Sequence, residues 1–260
     1  MKVNMNKQKG FTLIEMAIVL VVIGLILGAV SIGKDLQRNA EYDTVKQKFI
    51  DQWATAYNVY YQRTGVVLGD LEVSPRLMVA GSSYAAAVNA PISGGNMTAV
   101  ASPGAICQGT APTGITLATR SATLLPMHTY FDQTGVRMPP GRAEGSEDRY
   151  AYLDSNGNPQ EIQVCFQWQA PGTASGSGNV MIVSGLTPDL ARSLDQMIDG
   201  KPDAQEGVFR QSGVVNGTPG GPGVAWNTNN TQKFGAGIGS GVNLDENQVA
   251  VVTAIYKMNQ

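Results

Sequence analysis

Glu15 is a carboxylate inside an apolar run. From Phe11 to Gly33 the chain reads FTLIEMAIVLVVIGLILGAVSIG, and Glu15 is the one charged residue in it. Placing a carboxylate in a bilayer core costs on the order of 2.5–3.5 kcal/mol on insertion scales, so something must offset the charge. A free amine is the obvious partner. Hydrolysis of the peptide bond between Gly10 and Phe11 would create a positive terminus one helical turn from Glu15. Within one chain the two groups are neighbours. Between identical chains offset along their axes they could pair, and such a pairing would specify register.

Other reactive residue types are sparse. The sequence has one histidine, His128, and a zinc site built on it would need cysteine or carboxylate partners. A packed or surface histidine is the expected role. No nucleophile-elbow motif accompanies it, so a Ser-His-Asp triad has no support. Asp154, Asn156 and Asn158 have the spacing of the first ligands of a calcium loop. Pro159 replaces the required glycine and Cys165 stands where the bidentate glutamate belongs, which makes this a turn. Asn96, Asn216 and Asn229 lie in N-x-T sequons and indicate surface-loop composition. No catalytic site, metal site or cofactor is expected, and the chain does not read as an enzyme. The two cysteines, Cys107 and Cys165, would form one disulfide in an exported chain. It would close a loop of roughly 59 residues, worth about 4 kcal/mol in the chain-entropy model.

The elements that must position Glu15 begin with the apolar run itself. About 23 residues make roughly 34 Å of helix, enough to cross a bilayer. Lys2, Lys7 and Lys9 precede it, which favours a cytoplasmic N-terminus and an outward-facing remainder. Without them the 18 basic residues fall to 15 against 20 acidic ones. No basic stripe exists to neutralise phosphates, so nucleic acid is not an expected partner. After Lys34, apolar residues at Leu36, Tyr42, Val45, Phe49, Trp53, Ala56 and Tyr60 form one stripe at helical spacing. Asp35, Arg38, Asp43, Lys46, Lys48 and Asp51 lie largely off it. No proline interrupts residues 11–63, and Thr64-Gly65 supplies a stop. The first half of this helix is apolar all round and must be buried against other copies outside a membrane. The second half needs one covered face only.

Lys9-Gly10-Phe11-Thr12-Leu13-Ile14-Glu15 resembles the processing motif of type IV prepilins and the related pseudopilins. The short basic leader and Phe11 are most similar to the type IVa subgroup and to type II secretion pseudopilins. The resemblance implies that a membrane peptidase cuts after Gly10 and methylates the amine of Phe11. It also implies that Glu15, fifth after the cut, aligns an incoming subunit against the terminus of a neighbour. A secretory signal cut near Ala29-Val30-Ser31 and an anchor on an unrelated domain are the rival readings. Glu15 counts against both, and the apolar run is long for a signal. Many relatives carry a proline near Ile32. This chain has Gly24, Gly28 and Gly33 instead, each costing up to ~1 kcal/mol in helix propensity. They could serve close helix packing, as small residues allow, or mark a weak point, and any local melting in a filament is expected to centre on Gly24 to Gly33.

The expected fold class is α+β: a long N-terminal helix packed on a C-terminal antiparallel β-sheet domain with long loops. Residues 1–10 form a leader, 11–33 the transmembrane and assembly helix, 34–65 its amphipathic continuation, and 66–260 the globular domain. Residues 66–147 carry little periodic signal beyond a short helix around Ala118–Met127, ending near Pro126. Arg149–Asp154, Glu161–Gln169 and Asn179–Ser184 read as antiparallel strands, the second with Ile162, Val164, Phe166 and Trp168 on its apolar face. Cys165 falls on the other face, so Cys107 should approach from outside the sheet. Thr187-Pro188-Asp189 starts a helix that Asp199-Gly200 ends. Asp199-Gly200-Lys201-Pro202 with Gly207, and Gly69-Asp70, resemble turns of larger prepilin-like proteins. Residues 212–243 read as an exposed loop and Gln248–Tyr256 as a final strand.

The resemblance implies a subunit, major or minor, of an extracellular type IV pilus-like filament. A type II secretion pseudopilin and an adhesin-like tip subunit using the 212–243 loop are the alternatives. The implied partners are other copies or related subunits, a prepilin peptidase and an inner-membrane assembly platform. The implied location is the inner membrane, single-pass, before assembly, and the pilus or a periplasmic pseudopilus afterwards.

Overall fold

The computed structural model describes residues 11–84, 115, 117, 125–169, 172–215, 217, 221–227, 232–233, 236–237 and 251–258. The chain divides into two units, Met1–Glu41 and Tyr42–Gln260. In the first, helix α1 (Leu13–Val45) begins after Thr12, and its apolar residues are exposed on every side from Leu13 to Leu36. The helical run Leu13–Thr64 is long and apolar enough to cross a membrane. It is unbroken through Gly24, Gly28 and Gly33, and a methyl group added at any of the three would meet nothing within 4 Å. Leu36 departs from the expected stripe. It is 65% exposed, and burial begins only at Tyr42.

In the second unit, a π-helical turn at Lys46–Ile50 joins α1 to helix α2 (Asp51–Thr64). The Asp51 N–H donates to Lys46 O, a step of five residues instead of four. The Lys46 ammonium spans the same turn to Asp51 Oδ2 at 2.7 Å. The extra residue shifts the helical phase, so Phe49 and Ile50 are both buried, and Trp53, Ala56, Tyr57 and Tyr60 follow. Gly65 ends α2 in the left-handed conformation, φ +73°, with its N–H on Tyr61 O.

The sheet faces this stripe. Strands β1 (Arg149–Leu153), β2 (Pro159–Gln169), β3 (Gly178–Leu186), β4 (Phe209–Gln211) and β7 (Val252–Lys257) pair antiparallel in the order β1-β2-β3-β7-β4. The last strand thus enters between β3 and β4. Phe166 of β2 stacks on Tyr57 at 5.1 Å between ring centres and meets Trp53 at 6.1 Å, while Tyr150 of β1 meets Phe49 at 5.3 Å. Helix α3 (Met127–Thr134) adds Phe131 against Trp53 and Tyr60. On the opposite face Cys165, Val180, Ile182 and Ile255 form a separate buried cluster. The α+β arrangement, the strand pairing and the split between faces agree with the alternation in the sequence.

Several details differ. Pro126 precedes helix α3 and does not end one, consistent with the fit of proline at a helix start. The earlier part of the expected 118–127 helix lies outside the described residues. Helix α4 (Pro188–Asp199) has Thr187 at its N-cap position, but the Thr187 hydroxyl caps nothing. The Thr187 N–H donates instead to the buried Tyr152 hydroxyl at 2.9 Å, which donates onward to Gly185 O. Nor is the described part of 212–243 simply an exposed loop. Trp226 within it is buried beside Phe209, and strands β5 (Gln232–Lys233) and β6 (Ala236–Gly237) form a small hairpin.

Candidate functional site

The start of α1 is set by Phe11, Thr12 and Glu15. Thr12 stands just before the helix and Glu15 in its first turn, the spacing of a capping box. Glu15 Oε2 accepts from Thr12 N at 2.7 Å and from Thr12 Oγ1 at 2.8 Å, and Glu15 N donates to Thr12 Oγ1 at 3.3 Å. Phe11 precedes them, 85% exposed. The carboxylate therefore sits at the helix N-terminus, where the backbone dipole and unpaired N–H groups favour negative charge. Thr12 is the partner that reasoning from charge alone missed, although Thr12-Leu13-Ile14-Glu15 spells the capping pattern. Gly10, the other side of the expected cleavage, lies outside the described residues.

Chemically, a carboxylate beside the exposed Phe11, at the tip of an apolar helix, can bind a cation or an amine. The arrangement contains no nucleophile–base pair.

Elsewhere the expected roles are structural. Cys165 is buried on the outer face of β2 and its thiol is not free. Cys107 lies outside the described residues. Asp154 is satisfied by its own turn: Oδ1 accepts from Asn156 N and Asn158 N, each at 2.8 Å. Oδ2 accepts more distantly from the Asn158 and Gln160 amides. Burial alone would raise the Asp154 carboxyl, but these hydrogen bonds outweigh it and hold it below the ordinary range. His128 is exposed on α3. Among the described residues no group of three histidine, cysteine or carboxylate side chains could hold a metal.

A groove of about 630 Å³ runs between α2 and the segment Val136–Pro140. Its charged walls are Asp51, Arg63 and Arg137. Arg63 is engaged there, donating to Thr134 O and Gly135 O. The groove lining carries no histidine, cysteine or serine.

The turn after α4 is acidic and tightly folded. Asp199 Oδ2 accepts from Phe209 N at 2.8 Å. Asp203 accepts from Gln205 N, Val224 N and Lys201 Nζ. Asp195, fully buried, accepts from Asp203 N and from the Trp226 indole. The sequence signals the turn through Asp199, Gly200 and Gly207 but gives no sign of the Asp195–Trp226 contact, which joins residues 31 apart.

Comparison with known families adds one match. Residues 5–31 fit the prokaryotic N-terminal methylation motif, the hallmark of prepilin-like proteins of the type IV pilin and pseudopilin class. The resemblance read from Lys9 to Glu15 is thereby supported independently, and the class it marks is structural and generally not enzymatic. No curated protein and no solved structure matches the chain significantly.

Proposed function

We propose that this chain is a prepilin whose mature form is a subunit, major or minor, of a type IV pilus-like extracellular filament. The observation that carries the reading is the methylation motif on a helix whose apolar surface is exposed all round from Leu13 to Leu36. So much apolar surface in a folded chain requires either lipid or other copies of the same helix. The precursor is held single-pass in the inner membrane, with residues 1–10 as leader and residues 11–33 as the span. A prepilin peptidase cuts between Gly10 and Phe11 and methylates Phe11. Glu15 then pairs with the terminus of a neighbouring subunit as an assembly platform draws the helix out of the membrane. The globular part, residues 66–260, follows the amphipathic continuation, residues 34–65, and is tied by a Cys107–Cys165 disulfide. That bond is favoured by Ile115, eight residues after Cys107, which pairs through its backbone with Phe166, the neighbour of Cys165.

A secretion pseudopilin is the second reading, because the same motif serves both assemblies. The tip-adhesin alternative loses weight at Trp226, since a buried anchor is a poor contact residue.

The deciding experiment is the N-terminal mass of the chain in sheared surface filaments from native cells. N-methylated Phe11 in that fraction supports a pilus subunit. The same terminus found in membranes alone favours the pseudopilin. An uncut chain, or a cut near Ser31, overturns the prepilin reading.

A further inference from the structure

The C-terminal end of α4 holds two carboxyl groups one helical turn apart, Asp195 and Asp199. Asp195 is fully buried. Its Oδ2 accepts from Asp203 N at 2.6 Å and from Trp226 Nε1 at 2.8 Å. Its Oδ1 is buried too, and among the described residues no N–H or hydroxyl reaches it. One helical turn on, on the same face of α4, is the Asp199 carboxyl group, whose charge bears on Asp195 and whose Oδ2 already accepts from Phe209 N. Two neighbouring carboxylates with no donor between them repel as anions, and a single shared proton would satisfy both.

Among the described residues, the cations of this turn are engaged elsewhere: Arg210 Nε donates to Gly207 O at 2.6 Å. Lys201 is engaged by Asp203 at 2.8 Å and Glu206 at 3.4 Å. From β7 the facing group is Tyr256, a phenol raised first by burial and further by the Asp51 and Asp199 charges. From residues 221–227 the facing side chain is the neutral Trp226 indole. That segment is held to the turn by reciprocal bonds: Ala204 N to Val224 O, Val224 N to Asp203 Oδ1, and Asn227 N to Gln211 Oε1. Trp226 is its one buried side chain.

We propose that Asp195 is protonated and donates through Oδ1 to Asp199, and that this shared proton latches residues 221–227 onto the α4 turn. Loss of the proton puts two adjacent anions in a buried site. Lifting Trp226 admits water to Oδ1 and relieves the repulsion, so the segment loosens as pH rises. Burial, with the Asp199 charge added and the two N–H bonds opposing, pushes the Asp195 carboxyl up to about 7. The sign follows. A carboxyl raised on folding stabilises the fold at low pH, and that stability is lost as pH climbs towards the folded value. The latch is therefore closed in mildly acidic surroundings and open in alkaline ones. It stands on the globular unit alone and does not depend on filament formation.

The test is amide hydrogen exchange at Val224–Asn227 in the full-length chain in detergent micelles, corrected for the intrinsic rate, between pH 5.5 and 8.5. Wild type should lose about tenfold in protection over that range, the effect of roughly one pKa unit of differential stabilisation. Asp195→Asn is the matched control. Its amide donates to Asp199 permanently and its carbonyl still accepts from Asp203 N and Trp226. Its protection should stay high and flat. Equal pH dependence in wild type and variant overturns the latch. Should the variant fail to fold, the carboxyl carbon shift of Asp195 in wild type decides. A midpoint near the ordinary aspartate value of about 3.9 overturns the proposal, and one near neutrality sustains it. Protection that requires calcium and vanishes with a chelator at pH 6 would also overturn it, because a metal ion would then be filling the place of the proton.

Discussion

Glu15 and Thr12 hold each other at the first turn of the long helix, with the carboxylate accepting both the backbone N–H and the hydroxyl of Thr12. The charge is thus partly compensated inside one chain before any partner arrives. The proposed assembly through Glu15 would then be an exchange of partners, in which a neighbour's amine has to outcompete a capping interaction worth about 0.5–2 kcal/mol. A charge-assisted bond to an amine in a low-dielectric setting meets that requirement.

The exchange separates two effects of mutation at this site. Glu15→Ala should insert into the membrane at least as well as wild type, because it removes a cost of about 2.5–3.5 kcal/mol. Its entry into sheared filaments should fall by about tenfold or more, the effect of losing ~1.4 kcal/mol of pairing. Quantifying the chain in membrane and sheared fractions checks both. Reduced membrane content with normal filament entry would contradict the proposed role.

Cys165→Ser should lower stability by about 4 kcal/mol if the bond closes the roughly 59-residue loop back to Cys107. Thermal melts of wild type with and without reductant should show the same loss. Peptide mapping under non-reducing conditions should recover Cys107 and Cys165 in one linked fragment. Free thiols at both positions in exported protein would exclude the bond.

What the sequence makes legible follows from where the information is local. The strict alternation from Glu161 to Gln169 placed β2 and its apolar face, and Gly65 and Gly200 marked two helix ends, all observed. The motif around Gly10 and Glu15 was legible because it is a linear segment, matched as such over residues 5–31. The π turn at Lys46–Ile50 was not legible. Its neighbours have ordinary helix formers, and only the need to bury both Phe49 and Ile50 against the sheet selects it. Nor was Trp226 legible, as it lies in a Gly-rich stretch and its acceptor belongs to α4. Thr12 could have been read as a helix cap from its spacing to Glu15, had the carboxylate not been assigned wholly to an amine.

Gly207 offers a graded test of the α4 turn. A Cβ there would sit 2.1 Å from Asp199 Oδ2, in a backbone with φ +85°. Gly207→Ala therefore combines backbone strain with displacement of the carboxylate that accepts from Phe209 N. About 2–4 kcal/mol should be lost. Gly200→Ala has similar backbone strain, φ +80°, and open space around the methyl group. It should cost only about 1–2 kcal/mol. Denaturant melts of the two variants should preserve that order, and a reversal would show that Asp199 does not organise the turn.

Asp154 supplies a pH dependence opposite in sign to that of Asp195. Its carboxyl is held below the ordinary aspartate range by the Asn156, Asn158 and Gln160 donors, against burial. A carboxyl lowered on folding contributes stability that is present above the unfolded value of about 3.9 and is lost as pH falls through the folded value. Asp154→Asn places an amide N–H among four donors, so at neutral pH it should cost about 1–2 kcal/mol. The wild-type advantage should then shrink steadily below about pH 4, as the native carboxylate itself takes up a proton. Urea melts of both proteins at pH 7, 5, 4 and 3 measure the gap directly. A gap that stays constant down to pH 3 would mean that the charge of Asp154 contributes nothing and that the shape of the turn accounts for the whole effect. A gap that closes in acid would identify this hairpin turn as a point where acidification weakens the β1–β2 pair, while the α4 turn at Asp195 is strengthened over the neutral-to-acid range.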